Sequence, residues 1–134
     1  MKIVELNWQD TLPIRHKVLW PNEVPEFCVV EGDSEALHFG VIINEQIVCV
    51  ASVYTDVKSA RLRKFATLSQ FQGQGIGSCM LNHLVSKLKA QGINYLWFDA
   101  RGSAVGFYNR LGFNTTGELF YKNKVSYYKM SAHL

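Results

Sequence analysis

The stretch after residue 75 carries the most regular hydrophobic pattern in the chain. Ile76, Met80, Leu84 and Leu88 recur every fourth residue, with Leu81 and Val85 beside them. That spacing gathers them on one stripe of an amphipathic α-helix, and Gly92 is placed to close it. Elsewhere the pattern changes to runs of β-branched residues. Residues 37–43 and 47–53 are two such runs, joined by Asn44-Glu45, and predict an antiparallel hairpin. Residues 60–68 predict a third strand, with Leu62, Lys64 and Ala66 alternating against Arg61, Arg63 and Phe65.

The remaining pattern is weaker. Residues 2–6 alternate enough for a first strand. Asp10 or Thr11 is placed to cap a helix that runs through Val18 and Leu19 and ends before Pro21. Residues 25–30 predict a short helical stretch, and Glu31-Gly32-Asp33-Ser34 a polar loop. Residues 93–98 predict a short apolar strand in the middle of a sheet. Ser103 would cap a helix reaching Leu111, and residues 113–120 and 125–130 a closing pair of strands. The order β-α-α-β-β-β-α-β-α-β-β predicts one α/β domain over residues 1–134, with a mixed sheet flanked by helices.

Composition narrows the class. A chain of 134 residues that is 48% hydrophobic can bury one ordinary core without a metal or disulfide staple. The net charge of +3 is too small for a nucleic-acid footprint. Arg61, Arg63 and Lys64 form the one tight basic group. It suits a pocket for a phosphate-bearing small molecule or a solvated face equally well. Cys28, Cys49 and Cys79 show no ligand spacing, so no metal site is expected, and each reads as a small buried thiol in a reducing compartment. No signal-peptide pattern or membrane-length apolar run is present. A cytoplasmic protein with no membrane partner is the expectation.

The candidate chemistry lies where the third strand meets the regular helix, at Gln72-Gly73-Gln74-Gly75-Ile76-Gly77-Ser78. Glycines admit positive φ and carry no Cβ to block a ligand. The first turn of a helix offers unpaired N–H groups and partial positive charge, which suits a pyrophosphate. A Walker loop needs a lysine after its last glycine, and Gly77 is followed by Ser78. A dinucleotide fingerprint needs GxGxxG, and the spacing here is GxGxG. Both nucleotide loops are excluded, whereas a plain tight strand-to-helix connection is not.

A second motif follows the central strand: Ala104, Phe107, Tyr108, Gly112 and Phe113, in the arrangement AxxFYxxxGF. Together with Gln72, Gly75 and Gly77, it resembles the GNAT acyltransferase superfamily, in a small bacterial branch, from about Ile14 to Met130. The resemblance implies a GNAT-type, mostly antiparallel sheet of about seven strands with about four helices. It implies acetyl-CoA as the acyl donor, with no metal, and a small-molecule primary amine as acceptor, attacked directly in a ternary complex. By the same resemblance, the backbone of Gln72, Gly73, Gln74, Gly75, Ile76, Gly77 and Ser78 would hold the pyrophosphate. Phe65, Ala66 and Thr67 would pair with the pantetheine arm. Tyr108 would protonate the departing thiolate. Arg101 is placed either to reach the CoA or to cap the next loop.

The chain departs from the family pattern at three places. Gln72 stands where arginine is frequent, Arg101 where many relatives carry asparagine, and Tyr127 where the branch often has histidine. The expected catalytic residues are Tyr108 and His38. His38 is favoured as the base because imidazole titrates near neutrality; Asp33, Glu35, Asp99, Glu118 or a water chain are the alternatives. Cys79, near a helix start, raises the option of a covalent acyl-cysteine. Trp8, Trp20 and Trp97 are expected in the core, with Trp20 a candidate for the acceptor pocket. A non-catalytic acyl-CoA-binding module is the competing class, and the final strands could pair in a homodimer.

Overall fold

A computed structural model describes all 134 residues. Its seven strands form a single sheet in the order β1-β2-β3-β4-β5-β7-β6. They are β1 (Lys2–Leu6), β2 (Leu37–Ile43), β3 (Gln46–Asp56), β4 (Ser59–Thr67), β5 (Tyr95–Arg101), β6 (Asn114–Lys122) and β7 (Val125–His133). Every neighbouring pair is antiparallel except β4 with β5. Three helices, α1 (Trp8–Ile14), α2 (Ile76–Ala90) and α3 (Val105–Arg110), accompany it, and α1 runs on into a π-helical turn, Arg15–Leu19.

Local chemistry explains most elements. Asn44 and Glu45 both take positive φ, 51° and 65°, as a two-residue hairpin turn requires. On β3 the six residues 48–53 are all buried, so this strand is covered on both faces. His38 and Ser52 face α1 and its π-turn, while Phe39 on the opposite face meets His83 of α2 with ring centroids 5.8 Å apart. The predicted stripe of α2 is the buried one: Ile76, Met80, Leu81, Leu84 and Leu88. Each such side chain contributes about 1.5–3 kcal/mol by leaving water.

Four expectations are corrected. The first helix starts at Trp8 behind Asn7; Thr11 lies inside it, buried, with its hydroxyl bonded to the Trp8 carbonyl at 2.6 Å. The alternation of β4 breaks at Lys64, whose φ of 54° marks a bulge: Val50 pairs with Ala66, but Ser52 pairs with Arg63. Trp8, Trp20 and Trp97 are half-buried and lie outside the core; the Trp97 ring is covered by the cationic ends of Arg61 and Lys129, and the Trp20 ring by that of Lys64. Cys79 is exposed, unlike Cys28 and Cys49, since it falls on the solvent side of α2. No helix is long and apolar enough to cross a membrane.

The polar loop around Asp33 turns inward. Asp33 takes both terminal nitrogens of the fully buried Arg15, at 2.8 and 3.0 Å, and the Tyr54 hydroxyl at 2.6 Å. Arg15 also donates to the Cys28 carbonyl and to Ser52 Oγ. Burial by itself would raise the Asp33 pKa, but the bonds from Arg15, Tyr54 and the Val30 amide outweigh it and hold it at about 2. A carboxyl with a depressed folded pKa adds stability above its unfolded value of 3.8 and loses it as pH falls toward 2. Asp33→Asn leaves the Arg15 charge buried without a partner and should cost about 3–5 kcal/mol. Urea unfolding at pH 7 and through the range 4 to 2 checks both points: the variant should be weaker at pH 7 and lose less on acidification. Equal acid sensitivity in the two proteins would contradict this account.

Candidate active site

The site is built by a divergence. β4 and β5 are parallel neighbours for only three residue pairs, Ser59 with Tyr95, Ala60 with Leu96 and Arg61 with Trp97. Beyond Arg61 the edge of β4 that faces β5 has no strand partner, and the Lys64 bulge bends it further away. Two cavities occupy the opening, one on each side of Phe65, Ala104 and Tyr108, which line both.

The first cavity, of about 550 Å³, is lined by Phe65, Ala66, Thr67 and the glycine turn. Gly73 and Gly75 take φ of 74° and 82°, and the space where a Cβ would stand is empty. The amides of residues 73–78 donate to no backbone carbonyl. They therefore form a run of free N–H groups at the start of a 15-residue helix. That is a cradle suited to an anion such as pyrophosphate. The side chain of Gln72 donates to the Thr67 carbonyl at 2.9 Å, which ties the turn to the end of β4. Gln74 does not line the cavity; its side chain bonds to the Gln70 carbonyl. Phe71 and Phe107 complete the wall, with Val18 from the π-turn.

The second cavity, of about 310 Å³, has aromatic and basic walls: Trp20, Phe65, Phe98, Tyr108 and Tyr127, with Arg61, Arg63, Lys64, Arg101 and Lys122. Arg101 thus stands on this side, not against the glycine turn. Asp99 is the only carboxylate in the lining, and one of its oxygens takes Arg61 at 3.2 Å and Lys122 at 3.0 Å. Burial, and then the charges of Arg63, Arg15, Lys122 and Arg61, push the Lys64 amine down to about 8. Its ammonium lies 4.1 Å from the centre of the Trp20 ring.

Tyr108 stands between the two cavities, packed on Phe98 at 4.5 Å and Phe107 at 5.1 Å between ring centroids. Burial alone pushes its hydroxyl up to about 12, so the phenol keeps its proton throughout the neutral range. His38 is not brought to either cavity. It is buried, with Nε2 donating to the Asp33 carbonyl and Nδ1 bonded to Ser52 Oγ, both at 2.7 Å. Ser52 already accepts from Arg15, which leaves its hydrogen for Nδ1. Both imidazole nitrogens are used, and the expectation of a histidine base is corrected: residue 38 belongs to the Arg15 network. Glu35, Glu118 and Cys79 also lie outside both linings, and Asp33 is consumed by Arg15. No group of three or more His, Cys, Asp or Glu could hold a metal ion.

An anion cradle on a strand-to-helix turn, an unpaired strand edge leading from it, and a tyrosine shared with a second pocket fit a group-transfer enzyme whose donor carries phosphate. The family comparison agrees. Residues 17–134 match the model of the acetyltransferase (GNAT) domain. The chain is 30% identical to YitI, an uncharacterized N-acetyltransferase of Bacillus subtilis, over 90% of this chain and 87% of that one. It is 36% identical to the ribosomal protein bS18 alanine N-acetyltransferase of Haemophilus influenzae over 58% of this chain and 55% of that one. A GNAT acetyltransferase of Elizabethkingia anophelis, solved with acetyl-CoA bound, shares the fold at a TM-score of 0.77 and 18% identity, covering 99% of this chain and 97% of that one. The chain belongs to the GNAT acetyltransferase family and is an N-acyltransferase.

Because Cys79 lines neither cavity, Cys79→Ala should keep full turnover in a free-thiol release assay. In the native protein one thiol should react quickly with a disulfide reagent, and the other two only on unfolding. A loss of turnover in this variant would restore an acyl-cysteine route.

Proposed function

We propose that the enzyme transfers the acetyl group of acetyl-CoA to the primary amine of a small molecule, with both substrates bound at once. The observation that carries this reading is that Phe65, Ala104 and Tyr108 are shared by two cavities of different chemistry. One suits a pyrophosphate and a pantetheine arm, and the other suits the acceptor. Acetyl-CoA supplies an activated thioester. The amides of Gly73, Gly75, Ile76, Gly77 and Ser78 hold its phosphates, and the unpaired edge of β4 at Phe65, Ala66 and Thr67 receives the pantetheine. An N–H on that edge, fixed before reaction, stabilises negative charge that develops on the thioester oxygen.

Tyr108 holds a proton beside the leaving sulfur. A phenol with a pKa of about 12 is fully protonated when the thiolate forms and can donate to it. The proton of the acceptor ammonium needs no dedicated base. Burial first, and then the neighbouring cationic charges, depress Lys64 to about 8, and the same surroundings favour the neutral, nucleophilic form of an ammonium held in this cavity. Water in the open cavity then carries the proton away.

A protein amine is the second reading, favoured by the Haemophilus relative, whose named substrate is a ribosomal protein. Thiol release with free amines compared with peptides of N-terminal alanine separates the two, and turnover confined to peptides would replace the first reading. Tyr108→Phe should lower turnover by about 100-fold or more, while calorimetry finds acetyl-CoA affinity little changed. Unaltered turnover would remove the acid role.

A further inference from the structure

The acceptor cavity carries far more positive charge than its own carboxylate can balance. Its lining holds five cationic side chains and one acid, Asp99. Asp99 is shared by Arg61 and Lys122, and Arg63, Lys64 and Arg101 take part in no ion pair. The imbalance is local, because the whole chain has a net charge of only +3. It also opposes folding, since like charges around a small cavity repel. The Lys64 amine is lowered first by burial and then by the charges of Arg63, Arg15, Lys122 and Arg61. Uncompensated charge of this kind, in a cleft beside reacting groups, marks a binding site for the opposite charge.

We propose that the acceptor is a small amine that also carries an anionic oxyacid group, a carboxylate or a phosphate, held by Arg63 and Lys64. This rests on reading the second cavity as the acceptor's. Size favours a small molecule: 310 Å³ is at the low end of the range for small-ligand sites. The walls fit the rest of such a molecule. Trp20 lies against the Lys64 ammonium at 4.1 Å, and Tyr127 lies beneath Lys122 at 4.9 Å, so apolar faces flank the cationic groups. The same field acts on both ends of the acceptor in the productive sense. It attracts the oxyacid and disfavours the ammonium relative to the free amine. A simple monoamine would enter as a cation against this field, with no group to offset the repulsion.

Matched pairs of acceptors test the proposal: amino carboxylates against their carboxamides, and amino alkyl phosphates against the parent alcohols. Each is assayed by thiol release and by calorimetric titration onto the CoA-bound enzyme. The anionic member of each pair should have the higher kcat/KM, by about 10-fold or more, as expected for charge-assisted bonds to the oxyacid. The carboxylate and phosphate arms then identify which oxyacid is used. Arg63→Gln and Lys64→Met should each reduce that preference about 10-fold, chiefly through the KM for the acceptor. Equal binding of neutral and anionic members would overturn the proposal, as would a loss of acetyl-CoA affinity as large as the loss of acceptor affinity. Selective binding of the anionic amines without transfer would sustain the oxyacid site at Arg63 and Lys64 but overturn the reading of its occupant as the acceptor.

Discussion

The parting of β4 from β5 is the constraint on which the site depends. Two parallel strands that stayed paired would satisfy each other's backbone groups and close the sheet. Here they pair for three residues and then separate, with β4 bent by a bulge at Lys64 that places a non-glycine residue at φ 54°. Such a residue costs about 1–2 kcal/mol, and an unpaired edge in a buried opening costs more unless something bonds to it. Strain and unmet hydrogen bonds at one place are what a ligand relieves. The glycine turn, Tyr108 and the basic cavity are all arranged around this gap.

The surrounding structure keeps the gap from collapsing. On one face, α1 and its π-turn are anchored by Arg15, whose bonds reach Asp33, Ser52 and the Cys28 carbonyl. The six residues after Ile14 then deliver Val18 to the cavity beside the glycine turn and Leu19 and Trp20 to the basic cavity. On the other face, α2 and α3 meet where Gly77 faces the rings of Phe65 and Phe107, 3.3 and 3.5 Å from the point a Cβ would occupy. A buried ion pair contributes little net stability compared with an apolar replacement, but it fixes geometry. His38 and Tyr54 extend that frame; His38, which by type alone suggests a base, serves it as a spacer with both nitrogens bonded.

Charge and hydrophobicity divide the two cavities. The side proposed for the donor presents backbone amides and a helix end, whose fixed partial charges suit phosphate without a cationic side chain, consistent with Gln72 bonding to the protein itself. The side proposed for the acceptor presents full side-chain charges. Between them the rings of Phe98, Phe107 and Phe113 pack around Tyr108, which lines both. Its raised pKa follows from that apolar setting.

The local pattern alone determined the strands, the α2 stripe and the hairpin at Asn44-Glu45, because these depend on periodicity and on residues near in sequence. It also marked the glycine turn, whose spacing is a property of a strand-turn-helix unit, whereas Tyr108 stood out only through the resemblance of its motif to the GNAT superfamily. Tertiary structure decided what depends on distant residues coming together. Arg15 meets Asp33 across 18 positions and Ser52 across 37, so neither the buried pair nor the fate of His38 could be read from neighbours. The basic triplet Arg61, Arg63, Lys64 was visible as a cluster. Its meeting with Arg101 and Lys122 over one small cavity follows only from the parting of β4 and β5, because the register of a sheet and the place where it fails are set by packing across the whole chain.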